Sequence, residues 1–379
     1  MALKGIRVIE LAGLAPAPFC GMILSDFGAK VIRVDKSRNV PDIDRQSRGK
    51  YSVALDLKQK EGVNVFKRIC CSADVLIEPF RAGIMEKLGL GPDVLMSENP
   101  HLIYARLTGF GQKGSYAKKA GHDINYLALS GVLSRLGRVN ERPYAPINLL
   151  ADFASGGLLC AFGIVTALLE RVQSGKGQVI DANMVEGSAY VANWLWRSRD
   201  MYIWGRPRGD NVLDGGSAFY DTYKTADGKY ISVGALEPQF FQDLIKGLGF
   251  KPKEISQLSN PEEMRKKFQD IFLTKTRDEW VKVYKDLDAC VAPVLEMDEA
   301  ATHDHNQTNN TFVRNEKNEL EPGPAPKLSR TPADPIMEDQ PFIGQNTTAV
   351  LLESGFSQSE IKALIDKGVV IQGKIQSKM

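Results

Sequence analysis

Three residues able to move a proton near neutral pH stand where their surroundings alter their chemistry: His122, Asp152 and Glu237. Of the four histidines, His303 and His305 lie in a polar Thr/Asn-rich stretch and His101 follows Pro100 at a strand start, so these three read as surface residues. His122 differs, because Gly121-His122-Asp123 precedes the apolar run Ile124 to Leu133, which is predicted helical. The positive end of the helix dipole disfavours an imidazolium there and keeps the ring neutral, as a base requires. Asp152 is a lone carboxyl in a segment of apolar and small residues, where an unpaired charge is costly. Burial would raise its pKa and let it hold a proton, which a general acid needs. Glu237 follows Val233-Gly234-Ala235-Leu236 at a predicted helix start, the usual place of a helix-dipole partner. An ordinary cap fits His122, a hydrogen-bonded structural carboxyl fits Asp152, and local pattern alone leaves all three as candidates.

The run Gly109-Phe110-Gly111-Gln112-Lys113-Gly114 matches a dinucleotide fingerprint and follows a predicted strand. That motif should open an apolar helix and be followed about twenty residues on by an acidic ribose ligand. Ser115-Tyr116-Ala117-Lys118-Lys119 follow instead, without a suitable acid, so the run reads as a flexible loop near a ligand. Cys20, Cys70, Cys71, Cys160 and Cys290 lack metal-ligand spacing and read as buried reduced thiols. With 48 basic against 46 acidic residues in 379, the net charge of +2 gives no field that would call for nucleic acid.

The elements that must position these residues follow from periodicity. Ile6 to Leu11 reads as a strand, Pro16 to Asp26 as a helix closed by Gly28, and Lys30 to Val34 as a strand. The alternation continues with a strand over Ser52 to Leu57, a helix over Glu61 to Ser72 and a strand over Asp74 to Glu78. A helix over Pro92 to Ser97, a strand over Leu102 to Thr108 and a strand over Gln178 to Ala182 complete it. Such alternation predicts an α/β fold with a parallel sheet covered by helices. Asn148 to Val172 has the length of a membrane span. Asp152 inside it, Arg171 near its end and the Gly156-Gly157 pair favour a buried core helix and no membrane span. A second helix is expected over Val185 to Ser198.

Residues 1–200 read as a large domain and 201–219 as a linker. Beyond it, Asp227-Gly228 between Tyr220 to Lys224 and Lys229 to Val233 is a hairpin signal. Helices over Pro238 to Leu248, Pro261 to Phe272 and Arg277 to Leu287, with a strand near Cys290 to Val294, complete a smaller α+β domain over 220–320. Residues 321–379 form a Pro-rich link and a tail, where Ser357 and Glu360 make a capping box.

No secretory signal is legible at the N-terminus, so the Asn-x-Thr triplets at Asn306, Asn309 and Asn346 are expected to be unmodified. The terminal Ser377-Lys378-Met379 is one conservative change from a peroxisomal address, which predicts recognition by the import receptor.

Several segments taken together resemble a known family. They are Val8-Ile9-Glu10-Leu11-Ala12-Gly13, Asp26-Phe27-Gly28-Ala29-Lys30-Val31-Ile32, Ala120-Gly121-His122-Asp123-Ile124-Asn125-Tyr126, Leu149-Leu150-Ala151-Asp152-Phe153, Gly175-Lys176-Gly177-Gln178-Val179-Ile180-Asp181-Ala182 and Gly234-Ala235-Leu236-Glu237-Pro238-Gln239-Phe240. The chain resembles the class III CoA-transferase family, and its His122 and Glu237 segments resemble the racemase branch of it. The likeness covers nearly the whole chain. It implies a Rossmann-like large domain built from both ends of the chain, a small domain between, and an interlocked homodimer whose active sites each join two subunits.

The resemblance implies CoA contacts at Lys36, Leu55, Asp56, Leu57, Lys58, Arg81, Lys87, Leu88 and Gly89, and along the loop Gly121, His122, Asp123, Ile124, Asn125 and Tyr126. Lys36 stands where relatives often carry Arg. Lys36, Lys58, Arg81 and Lys87 would supply local positive charge for phosphates. The implied reaction inverts the α-carbon of 2-methyl-branched acyl-CoA thioesters in fatty-acid and bile-acid metabolism, without metal or redox cofactor, in peroxisomes and in mitochondria. His122, held by Glu237 of the facing subunit, and protonated Asp152 would work on opposite faces. A backbone N–H near Asp123 would meet the oxyanion, leaving Asp123 a positioning role. Two other readings fit parts of the pattern: a CoA transferase with Asp152 as nucleophile, and a non-catalytic acyl-CoA-binding protein.

Overall fold

The computed structural model describes residues 1–36, 43–251, 253–333 and 340–373; Ser377-Lys378-Met379 lies outside the described residues. The chain divides into two compact units. The first takes residues up to Gly131, Pro146–Ala192 and the chain from Asn309 onward; the second takes Val132–Ala145 and Asn193–Thr308.

In the first unit, β1 (Arg7–Leu11), β2 (Lys30–Lys36), β3 (Tyr51–Leu55), β4 (Val75–Glu78), β5 (Ile103–Thr108) and β6 (Val179–Asn183) form the sheet, with the edge strand Val370–Ile371 added antiparallel beside β3. The six numbered strands are parallel, in the order β3-β2-β1-β4-β5-β6. Runs rich in Val, Ile and Leu suit this sheet because helices cover both faces, and the charged Glu10 and Arg33 within them are buried in ion pairs with Lys50 at 2.8 Å and Asp35 at 3.0 Å. Ile9, Leu11, Ile32 and Leu76 point into one core with Val65, Phe66 and Ile69 of helix α2 (Lys60–Cys70), and Val8, Val31, Val75 and Ile103 point into the other. Helix α1 (Pro16–Asp26) begins with proline, whose missing N–H costs nothing in a first turn. It stops at Phe27-Gly28, where φ of +103° calls for glycine.

Short helices α3 (Ile84–Lys87) and α4 (Pro92–Glu98) follow β4. The helix predicted over Ile124 to Leu133 is α5, Asp123–Leu129, ended by Ser130 and by Gly131 with φ of +81°. The segment predicted as one buried helix is instead a ten-residue π-helix, Leu149–Leu158, running into α6, Leu159–Ser174. Only one side of α6 is buried: Cys160, Ala161, Ile164, Ala167 and Leu168 pack on the sheet, while Phe162, Val165, Leu169 and Val172 are exposed. Among the described residues Leu149–Ser174, the π-helix and α6 together, is the one helical segment long and apolar enough to cross a membrane. Gly157 permits the expected close approach, since a β-carbon there would lie 2.7 Å from the Phe19 ring. The helix predicted over Val185 to Ser198 is broken at Ala192 into α7 (Met184–Val191) and α8 (Asn193–Arg197).

The second unit is a three-stranded antiparallel sheet, β7 (Tyr220–Lys224), β8 (Tyr230–Gly234) and β9 (Val291–Val294), with helices α9 (Pro238–Gly247), α10 (Pro261–Phe272) and α11 (Arg277–Tyr284). Gly228, with φ of +77°, turns the hairpin. Phe241, Phe268, Phe272, Trp280 and Tyr223 form an aromatic core; Trp280 donates its indole N–H to the Phe272 carbonyl at 2.9 Å. The stretch read as a linker is folded back on itself, Asn211 N–H donating to Asp214 at 2.6 Å and Arg206 N–H to Asn211 Oδ1 at 3.0 Å.

Candidate active site

Connections on either side of β1 run to opposite directions along the sheet, so β1 and β4 mark its switch point, where the loops after parallel strands open a crevice. Two cavities occupy it. The first, about 730 Å³, is lined by Lys36 at the end of β2, by Leu55 at the end of β3 with Asp56, Leu57 and Lys58 after it, and by Ile84 and Leu88. The second, about 560 Å³, lies beside Arg81, Thr108, Phe110, Gly121, His122, Tyr126, Asp152 and Met184. Ala12, Lys36 and Phe80 line both, so the two adjoin along the strand ends. Lys87 and Gly89 flank Leu88 without lining either cavity, and Asp123, Ile124 and Asn125 likewise stand outside both linings.

The backbone around the first cavity is tightly set. Asp56 accepts the Lys58 N–H at 3.0 Å and a Gln59 side-chain N–H at 3.2 Å. Helix α2 approaches so closely that a β-carbon on Gly62 would sit 2.0 Å from the Asp56 carbonyl oxygen. On the other side of Phe80, Glu78 holds the β4 loop by accepting the Phe80 N–H at 2.9 Å and pairing with Arg106 at 2.8 Å. Burial pushes the Glu78 carboxyl up to about 7, against the opposing pull of Arg106.

An aromatic cluster fixes the loop that carries His122. Phe110 packs edge-on against Tyr126 at 5.0 Å and tilted against Tyr116 at 5.2 Å, and the Tyr126 hydroxyl donates to the Gly121 carbonyl. A β-carbon on Gly121 would lie 2.7 Å from the Phe110 ring, which is why the residue before His122 is glycine. His122 is the N-cap of α5, and its backbone N–H donates to Asn125 Oδ1 at 3.1 Å. In the first turn of α5 the Asn125 and Tyr126 N–H groups donate to the His122 carbonyl, at 2.8 and 3.3 Å, while those of Asp123 and Ile124 have no carbonyl behind them within the helix and can donate to an anion.

Asp123 is buried and its Oδ2 accepts the backbone N–H groups of Ala151 and Asp152, at 2.7 and 2.9 Å. The half-buried Asp152 accepts from Asn148 Nδ2 at 3.3 Å. Burial raises the Asp152 carboxyl above the ordinary carboxylate range and the Asp123 charge adds to it, while the Asn148 hydrogen bond and His122 act in the opposite sense. Thus His122 and Asp152, read separately from sequence, line the same cavity. Glu237 is the exposed N-cap of α9 in the second unit and makes no side-chain capping bond. Sequence reading missed Asn148, Phe80, Phe110 and Met184; Asn148 stands four residues before Asp152, a helical spacing that could have found it. Among the described residues, no cluster of His, Cys, Asp and Glu could hold a metal ion. The site can hold an extended molecule, a charged end near Lys36 and Lys58 and a reacting end in the cavity that an imidazole and a carboxyl line.

The profile of CoA-transferase family III matches residues 3–347 of the chain. Alpha-methylacyl-CoA racemase of Homo sapiens is 55% identical over 382 residues and that of Mus musculus 54%, each comparison covering the whole of both proteins. The crystal structure of a CAIB/BAIF family protein from Brucella suis superimposes with a TM-score of 0.78 at 25% identity, covering 93% of this chain and 99% of that one.

Proposed function

The chain belongs to CoA-transferase family III, and from that premise we propose that it is an isomerase that inverts the α-carbon of 2-methyl-branched acyl-CoA thioesters. The observation that carries the reading is the placement of His122 and Asp152 on one cavity that adjoins a second lined by Lys36 and Lys58, in a chain similar along its whole length to alpha-methylacyl-CoA racemases.

A thioester α-proton is weakly acidic, so inversion needs a base on one face, an acid on the other, and a donor for the enolate oxygen. Neutral His122 takes the proton from one enantiomer while the C–H electron pair passes into the enolate. Protonated Asp152 then delivers a proton to the opposite face, and the roles exchange for the other enantiomer. The raised Asp152 carboxyl suits this task. Backbone N–H at the start of α5 receives the oxyanion. These steps require no metal or redox cofactor. The nucleotide lies along the first cavity, with Lys36 and Lys58 meeting phosphates and Leu55, Leu57 and Leu88 its apolar parts, and Arg81 adds positive charge beside the second cavity.

The same reading includes a homodimer. The outward apolar stripe of α6, Phe162, Val165, Leu169 and Val172, supports it, because so continuous a patch on a helix usually meets a partner. Glu237 of the facing subunit would orient His122. Ser377-Lys378-Met379 would direct the enzyme to peroxisomes, and a panel of branched fatty-acyl and bile-acid CoA esters would define its preferred chain.

The deciding experiment is deuterium wash-in from heavy water into a single enantiomer of a 2-methylacyl-CoA, with no CoA acceptor present. Label at the α-carbon together with loss of optical purity is expected. No exchange, but CoA transfer once a carboxylic acid is added, would assign Asp152 to a transferase; neither activity would leave a binding protein.

A further inference from the structure

The side chain of Asp123 joins the two elements that carry the proton-transfer groups. It is the first residue of α5, directly after His122, and it reaches across to the first turn of the π-helix that carries Asp152. There one oxygen, Oδ2, takes two successive backbone N–H groups, one of them that of Asp152 itself. Those N–H groups lie in the first turn of their helix, where no preceding carbonyl can serve them. The other oxygen, Oδ1, is buried and has no hydrogen-bond partner. A buried carboxylate with one oxygen unserved is a poor stabiliser, because its desolvation is only partly repaid.

The helix it holds is also unusual. π-helical turns are rare and occur mostly as single turns at functional sites, whereas this one runs for ten residues, its Ser155 hydroxyl donating to the Leu150 carbonyl at 2.7 Å. We infer that Asp123 is a cross-brace, a positioning residue that fixes the separation and alignment of His122 and Asp152 by clamping the first π-turn to the start of α5. Its charge, facing Asp152, also favours the protonated form of that carboxyl. The inference rests on the assignment of His122 and Asp152 as the proton-transfer pair.

A brace and a mere helix cap differ in what their loss does. Loosening Asp152 while His122 stays on its own loop should spare proton removal by His122 more than delivery by Asp152. In Asp123→Ala, kcat for inversion should fall about 10²-fold or more with KM nearly unchanged. Deuterium exchange with retention, in which His122 removes and returns the proton on one face, should fall much less, so the ratio of wash-in to inversion rises. Asp123→Asn keeps an oxygen able to accept both N–H groups but removes the charge. It should recover most of the turnover, and the alkaline limb of kcat, for the direction in which Asp152 is the acid, should move to lower pH. Equal loss of exchange and inversion in Asp123→Ala, or full activity there, overturns the brace, as does an Asp123→Asn profile unmoved in pH. Should Asp123→Ala fail to fold, the isosteric Asp123→Asn still decides through its pH profile. Failure of the underlying assignment is distinguished separately, by normal inversion in His122→Ala or Asp152→Asn.

Discussion

Replacing Phe162 by Glu and Leu169 by Lys places two charges on the outward face of α6 and leaves the inward face, Cys160, Ile164 and Leu168, untouched. Phe162 is 65% and Leu169 67% exposed, together more than one fully uncovered side chain. Full burial of such a side chain is worth roughly 1.5–3 kcal/mol, so the pair would contribute about 2–4 kcal/mol per protomer on the same scale. A two-fold interface presents each face twice. The double variant should therefore weaken association by about 4–8 kcal/mol, or about three to six orders of magnitude, before any cost of burying the new charges. Sedimentation equilibrium at micromolar protein should give a dimer mass for the native chain and a monomer mass for Phe162→Glu/Leu169→Lys. Far-UV circular dichroism should be unchanged. Racemisation should be lost in the monomer, because Glu237 would then be absent from the site of its neighbour. A variant that keeps the dimer mass refutes the assignment of this face, and a fully active monomer refutes the shared site.

His122→Ala and Asp152→Asn should each lower racemisation about 10²-fold or more while leaving CoA affinity largely intact by calorimetry; near-native turnover removes the residue from the mechanism. Co-expression of His122→Ala and Glu237→Gln chains should give a heterodimer with about half the native activity, because one of its two sites keeps both native residues. A purified heterodimer as inactive as its parents places Glu237 outside the neighbouring site. Because the folded-state pKa of Asp152 lies above its unfolded value, the native protein loses stability relative to Asp152→Asn as pH rises through that interval. The melting-temperature difference, variant minus native, should thus grow from pH 4 to pH 7, and a constant difference contradicts the raised carboxyl. Deleting Ser377-Lys378-Met379 should turn a punctate peroxisomal distribution cytosolic by fluorescence microscopy; unchanged puncta point to another signal.

Much of the sheet was legible in the chain because a parallel strand buried on both faces is written as a predominantly apolar run. Val75 to Ile77 is apolar throughout, and Val8 to Leu11 and Val31 to Val34 are each interrupted once, by Glu10 and by Arg33, and still read as strands. Helix α10 matched its expected bounds, Pro261 to Phe272, since Asn260 and Pro261 start it through local hydrogen bonding and a fixed φ. His122 and Asp152 could each be singled out, one by its place before a helix and the other as a carboxyl among apolar neighbours. What pattern could not supply was their relation, for the twenty-nine residues between them give no measure of distance. That relation depends on Phe110, Tyr116 and Tyr126 packing around Gly121, and on Asp123 reaching a backbone 28 residues away. The π-helix was invisible for a similar reason. Leu149 to Leu158 mixes good helix formers, Leu and Ala, with poor ones such as Gly156-Gly157, and periodicity alone does not report the bonding of its first turn, which a distant carboxylate serves. The single buried face of α6 was equally unreadable, because a Leu facing solvent and a Leu facing the sheet are the same residue until the sheet is in place.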